Sequence, residues 1–308
     1  MVTWICSSWG FFGHQLIAKM AVFTLPPPMN RFYKHNLTFL CDHSSDPDKR
    51  RYVDPEEGSR HFLDVECYEN GVIDSIPQKW KEAVARYGED SLKLYGTVPW
   101  QIEKTYYLLV KAFAARDSLR ILHLSANLSH YISDAHVPLH ATVNYNGQLT
   151  HQEGIHSLWE SRLPELFSNR YNLIVGKAYY IENPLKEAWR IVKKARQYTQ
   201  SVLQTEARLS ATFATDKKYG YSEKNGRITR QYSETYSQAY HSALKGMVEE
   251  QMRSAILETG SFWYSAWVDA GQPELSNFKK STDHKELEEE PNMEKMIKKG
   301  KILGRKDL

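Results

Sequence analysis

Between His130 and Glu160 the chain reads HYISDAHVPLHATVNYNGQLTHQEGIHSLWE, with two histidine–carboxylate pairs four residues apart, His130/Asp134 and His156/Glu160. A spacing of four puts both members of a pair on one face of an α-helix. Leu124, Leu128 and Ile132 make the first of these helices largely apolar, so its pair is expected to face inward. A buried carboxylate is costly, and a bound cation offsets that cost. His140 lies between the pairs, and six of the chain's 12 histidines fall between 123 and 156. Imidazole nitrogens and carboxylate oxygens gathered in this way suit zinc and related divalent metals.

The rest of the pattern is also helical. GHQLIAKMAVFTL (13–25) carries apolar residues at helical spacing and ends at three prolines, and a helix resumes over 29–41. Residues 42–76, with DPDKRR, DPEEGS and ENG, read as a long irregular segment of the kind that usually carries function. Helices are expected from Pro77 to Arg86, Trp100 to Ala115, Asp117 to Ser133 and Glu153 to Phe167. A long amphipathic helix with a basic face follows from Pro184 to about Ala211. YSEKNGR (221–227) reads as a turn, and Gln231–Ala270 as a last helical stretch broken near Gly260. The fold class is therefore all-α: a single multi-helix domain over 9–276, with a metal cluster between helices and little or no β-sheet. Residues 277–308 are Lys/Glu-rich and are expected to be a flexible tail.

With 308 residues, 41% hydrophobic and 25% charged, the chain can bury a sizeable core. A formal net charge of +3 gives no argument for a nucleic-acid or membrane partner. No run of 18 apolar residues exists, so no transmembrane helix is expected. The opening MVTWICSS lacks the basic start and the length of a secretory signal. It reads as either the remnant of one or a short disordered N-terminus. Cys41 and Cys67 bracket part of the irregular segment, either as a loop-pinning disulfide or as two thiols.

Further candidates precede the dense run: Trp9 and His14 near the start, Asp46 and Asp48 in DPDKRR, and His61 in RHFLD. Together with His130, Asp134, His140, His156 and Glu160 they resemble the zinc-dependent phospholipase C and single-strand nuclease superfamily. The resemblance covers roughly residues 9–167. It rests on Trp9-x4-His14, an aspartate about 15 residues before His61, His130-x3-Asp134-x5-His140, and His156-x3-Glu160.

The resemblance implies three zinc ions. One would take Asp46, His61, His130 and Asp134. A second would take the Trp9 terminus and His14, with Asp134 bridging the two. The third would take His140, His156 and Glu160 and keep positions open. Asp48 is the alternative to Asp46, because DPD allows a two-residue shift. Trp9 binds through its amine only if residues 1–8 are removed, so the resemblance also implies cleavage after Ser8 and a secreted or periplasmic protein.

Clustered zinc ions activate water, clamp a phosphate and stabilise the departing oxygen. The implied activity is phosphodiester hydrolysis, with Asp46 orienting or deprotonating the attacking water. His136 and His123 are expected to be structural, Asp64 to orient a ligand histidine, and Lys49, Arg50 and Arg51 to form a solvated basic turn. His151 and Asn146 lie in the loop between the ligand helices, within possible reach of substrate.

Glu160 as last ligand resembles the phospholipase branch, while Asp134-Ala-His-Val-Pro-Leu-His140 and the Trp9–His14 spacing resemble the nuclease branch. The reading leans to a phospholipase C-like enzyme. The alternatives are a single-strand-type endonuclease and a non-enzymatic zinc-binding protein. The substrate is correspondingly a phospholipid or a single-stranded nucleic acid. A helical di-metal oxygenase would need Glu-x-x-His pairs on two helices, whereas the sequence offers a single one, Glu153–His156, and a His-Asp phosphohydrolase would need an HD dipeptide, which does not occur.

Overall fold

The structure, a computed structural model, describes residues 10–224 and 227–275. The expected signal remnant, Trp9 and the charged segment after about Asn277 lie outside the described residues. The architecture is predominantly α-helical. In chain order the helices are α1 (Gly10–Val22), α2 (Pro27–His35), α3 (Leu37–His43), α4 (Asp46–Arg50), α5 (Trp80–Tyr87), α6 (Glu89–Tyr95) and α7 (Val98–Ala115). After them come α8 (Ser118–Ala135), α9 (Ile155–Ser157), α10 (Leu163–Phe167), α11 (Pro184–Thr212), α12 (Thr215–Lys218), α13 (Glu234–Ala243) and α14 (Met247–Asp269).

The anticipated split after Ala115 is real. Arg116 turns left-handed (φ 56°), and Asp117 caps α8 by accepting from the Arg120 amide at 3.0 Å. α8 is then enclosed: every residue from Leu128 to Ala135 is buried. It packs against α7, α14, α3 and α1. Each large apolar side chain it buries contributes about 1.5–3 kcal/mol, which allows the same helix to hold buried polar groups. α11 starts where Asn183 accepts from the Lys186 amide and Pro184 takes the first turn.

Two apolar clusters divide the interior. One is built on α7, α8 and α14, with Phe113, Leu128, Ile132 and Trp263 among its members. The other gathers Trp159, Phe167, Tyr236, Tyr240 and Ile256. Helix α1 serves both, giving Ala18 and Val22 to the first and Ile17 to the second. The predicted ligand residues of α1 and α8 lie where the clusters meet.

Three local expectations are revised. Within the stretch expected as a turn, residues 221–224 and 227 belong to two paired antiparallel strands, β1 (Tyr219–Lys224) and β2 (Arg227–Tyr232). A facing Tyr219–Tyr232 pair, with ring centroids 5.0 Å apart, closes its base. Lys218 Nζ sits over the rings of Tyr219, Tyr232 and Tyr236 at 5.2–5.7 Å.

The last helical stretch breaks not at Gly260 but between Leu244 and Gly246, where Lys245 (φ 52°) and Gly246 (φ 83°) are left-handed. Gly260 has a different purpose. A Cβ there would lie 1.9 Å from Thr24 Oγ1, so the glycine lets α14 close on the end of α1. Finally, the irregular segment contains α4 and a 3-10 turn at Glu57–His61, and both supply the site. Cys41 and Cys67 are thiols, not a disulfide.

Candidate metal centre

Asp134, in the last turn of α8, is fully buried, and its two oxygens face different histidines. Oδ1 lies 3.5 Å from His14 Nε2 on α1. Oδ2 lies 2.8 Å from His61 Nδ1 and 3.2 Å from Nε2 of His130, one turn earlier on α8. The His61 Nδ1 and His130 Nε2 atoms are themselves 3.1 Å apart. The His14 and His130 rings stack at 3.9 Å. Asp48 completes the group, with Oδ1 3.9 Å from His61 Nδ1 and 3.8 Å from His130 Nε2. Imidazole nitrogens and carboxylate oxygens thus converge in a buried pocket, a donor set that a divalent cation fits.

The orientation of these rings is fixed from behind. His130 Nδ1 donates to the Ser44 carbonyl at 2.9 Å, and His140 Nδ1 donates to the His61 carbonyl at 2.6 Å. Each bond leaves Nε2 turned toward the centre. His61 is the reverse case: Nδ1 faces the centre and Nε2 lies 3.5 Å from Glu57 Oε1. Glu57 is itself fully buried. It accepts from Tyr131 OH at 2.5 Å, Arg60 Nη1 at 2.5 Å and Arg50 Nε at 3.3 Å.

A second group lies alongside. His140 Nε2 is 3.4 Å and His156 Nε2 is 3.0 Å from Glu160 Oε2, and all three residues are buried. Their ligating atoms lie within 4.8 Å of one another. His140 Nε2 has no hydrogen-bond partner in the protein, as a nitrogen waiting for a cation would. The backbone under Glu160 is not the plain helix expected over 153–167. Leu158–Arg162 is a π-helical turn in which the Leu163 amide reaches back to the Leu158 carbonyl. Pro164 brings no N–H to the next bond, so the helix widens where it carries Glu160. Such π turns are frequent at functional sites.

The electrostatics follow from burial and crowding. Burial, and then the neighbouring His130, hold His14 well below its ordinary value of 6.5. Burial alone would raise the Asp134 carboxyl, but facing His130 and His140 and the hydrogen bonds from His130 and His61 hold it well below the carboxylate range. Burial works to lower His61, yet its bonds to Asp134 and Glu57 raise it to about 9. For Glu57, burial is outweighed by His61 and Arg50, and the carboxyl is held far below its ordinary value.

Eight of the nine predicted ligands lie among the described residues. The structure brings His14, His61, His130 and Asp134 together in the first group and His140, His156 and Glu160 in the second. Asp46 does not join these groups. Its carboxylate turns away to His43 Nδ1 and to Lys49 Nζ, the latter at 2.7 Å, and Asp48 stands in the inner group instead. Residues two apart on a helix point about 200° apart, so only one aspartate of DPD can face inward.

Among the lesser candidates, His136 bonds Glu258 at 3.0 Å and the Ile132 carbonyl, away from the site. Asn146 Oδ1 accepts from the Gly154 amide, holding its own loop, and His151 is exposed in a left-handed conformation (φ 57°). The basic turn is not simply solvated. Lys49 pairs with Asp46, Arg51 Nη1 lies 3.8 Å from Asp48, and Arg50 ties Glu57 to Asn127 and Tyr131. Glu57 is the residue that sequence reasoning missed. It stands four before His61, the same spacing that marked the other pairs, but in a segment read as irregular.

The family model described as S1/P1 Nuclease matches residues 9–257 of the chain. A curated relative, Nuclease S1 of Aspergillus oryzae, is 24% identical over 188 residues, which cover 56% of this chain and 60% of that protein.

Proposed function

Since the chain belongs to the S1/P1 nuclease family, we propose that it is a zinc-dependent phosphodiester hydrolase that cleaves single-stranded nucleic acid. The single observation that carries the reading is Asp134, whose two oxygens face His14 on one side and His61 with His130 on the other. The family match favours the nuclease over the phospholipase C-like enzyme to which the sequence leaned.

In this reading Asp48, His61, His130 and Asp134 hold one zinc. His14 and Asp134 hold a second together with the Trp9 amine, which requires removal of residues 1–8 and hence export. His140, His156 and Glu160 hold a third. Zinc supplies a water made acidic enough to react near neutral pH and positive charge against the phosphate. The protein's own part is positional. Ser44 and the His61 carbonyl hold the rings of His130 and His140 with Nε2 inward, and Glu57 does the same for His61 Nδ1. Asp48 holds its carboxylate between His61 and His130, where it can orient the attacking water. Three protein ligands in the His140 group leave room for a phosphate oxygen, which a closed, purely structural zinc site does not.

The test uses protein beginning at Trp9, loaded with zinc and given single-stranded DNA, single-stranded RNA and phosphatidylcholine vesicles side by side. Cleavage of the nucleic acids, abolished by a chelator and restored by zinc, is expected. Turnover of the phospholipid alone would overturn the substrate assignment, and turnover of none would overturn the reading.

A further inference from the structure

We propose that His43, Asp46 and His123 form a separate divalent-cation site outside the centre described above. One ligating atom from each lies within 4.8 Å of the other two. The three come from different helices: His43 ends α3, Asp46 begins α4, and His123 sits in the second turn of α8. His43 Nδ1 is bonded directly to Asp46 Oδ2, while Lys49 holds the other carboxylate oxygen at 2.7 Å. The His43 and His123 rings meet edge to face, with centroids 4.9 Å apart. Phe39 packs against both, at 4.0 and 4.9 Å, and closes one side. All three ligands are half-buried, with His43 20% and Asp46 13% exposed, so the remaining coordination positions face water.

Two imidazoles and one carboxylate with open positions suit zinc or a similar borderline cation. Binding replaces the hydrogen bond between His43 and Asp46 by two metal bonds. The ring proton moves from Nδ1 to Nε2, so His43 stays a neutral imidazole, and Lys49 keeps its oxygen. With one carboxylate, itself paired to a lysine, this site holds its cation more weakly than the inner groups.

The site is distinct from the inner centre yet coupled to it. His123 and His130 are two helical turns apart on α8, about 10 Å. Asp46 and Asp48 lie on either side of Pro47, one facing each cluster. A cation bound outside would therefore brace residues 43–48, which carry both Asp48 and the Ser44 carbonyl that orients His130.

Native mass spectrometry at fixed free zinc tests this on the wild type, His43→Gln and His123→Gln. Each variant is expected to carry one zinc fewer than the wild type and to stay within a few-fold of its phosphodiesterase activity. A short treatment with a weak chelator should remove that same ion first from the wild type. Equal counts in all three proteins, or a loss in only one variant, overturn the proposal. Because the result is a difference between proteins, it does not depend on how many zinc ions the inner groups hold.

Discussion

Asp46 and Asp48 are separated by a single proline, and their carboxylates face opposite clusters. Asp46 meets His43 and Lys49, and Asp48 lies within 3.9 Å of His61 and His130. Asp48→Asn is expected to lower activity at saturating zinc by on the order of 100-fold, as removal of one preorganised group at a reacting centre does. Asp46→Asn should stay within a few-fold of wild type. Steady-state cleavage of a single-stranded oligonucleotide distinguishes them, and the reverse ranking would return the role to Asp46.

Asp134 serves two histidine sets through its two oxygens. Asp134→Ala is expected to lose two zinc ions together, read as the metal content of purified, folded protein. A variant that keeps its full zinc content and its activity would remove Asp134 from the centre.

Glu57 reaches the centre only through His61. Glu57→Gln keeps the side-chain shape but removes the anionic acceptor held by Arg50, Arg60 and Tyr131. Zinc affinity, measured by competition with a chromophoric chelator, is expected to fall about 10- to 100-fold. Unchanged affinity would make Glu57 a packing residue only.

Glu258 joins α14 to His136, just past the end of α8, and to Arg190 on α11. Burial alone would raise its carboxyl, but His136 and Arg190 outweigh this and hold it below its ordinary 4.5. A depressed folded value stabilises the protein above the unfolded value, and that stability is lost as pH falls through the folded one. Glu258→Gln should cost about 1–3 kcal/mol at pH 7. The gap to wild type should close as the pH drops below 4.5. Urea unfolding of the metal-free proteins across pH 3–7 measures it, and a gap independent of pH would count against the ion pair.

Gly260 sets the approach of α14 to α1. In Gly260→Ala the new methyl would lie 1.9 Å from Thr24 Oγ1 and 3.2 Å from the Ala21 carbonyl. A loss of about 1–3 kcal/mol is expected from this overpacking. Thr24→Ala should recover part of it in a double-mutant cycle, and additive losses would show that the two residues do not meet.

What the sequence determined by itself was everything carried by short-range periodicity. The helices expected from Gly13, Trp100, Asp117 and Pro184 follow from apolar spacing, and the structure starts them at Gly10, Val98, Ser118 and Pro184. His130/Asp134 and His156/Glu160 could be paired on paper because four residues make about one helical turn. Local rules failed where the outcome depends on a distant partner. Asp46 and Asp48 are equivalent by spacing, and the packing of α4 against α8 decides which one turns inward. Glu57 gained its role because a 3-10 turn brings it under His61 and Tyr131 beside Arg50, a meeting of three segments. Gly260 reads as a helix breaker until Thr24 on the facing segment shows that it is a contact. Side-chain direction in short elements is set by the surface they pack against, so only the tertiary structure could assign these residues.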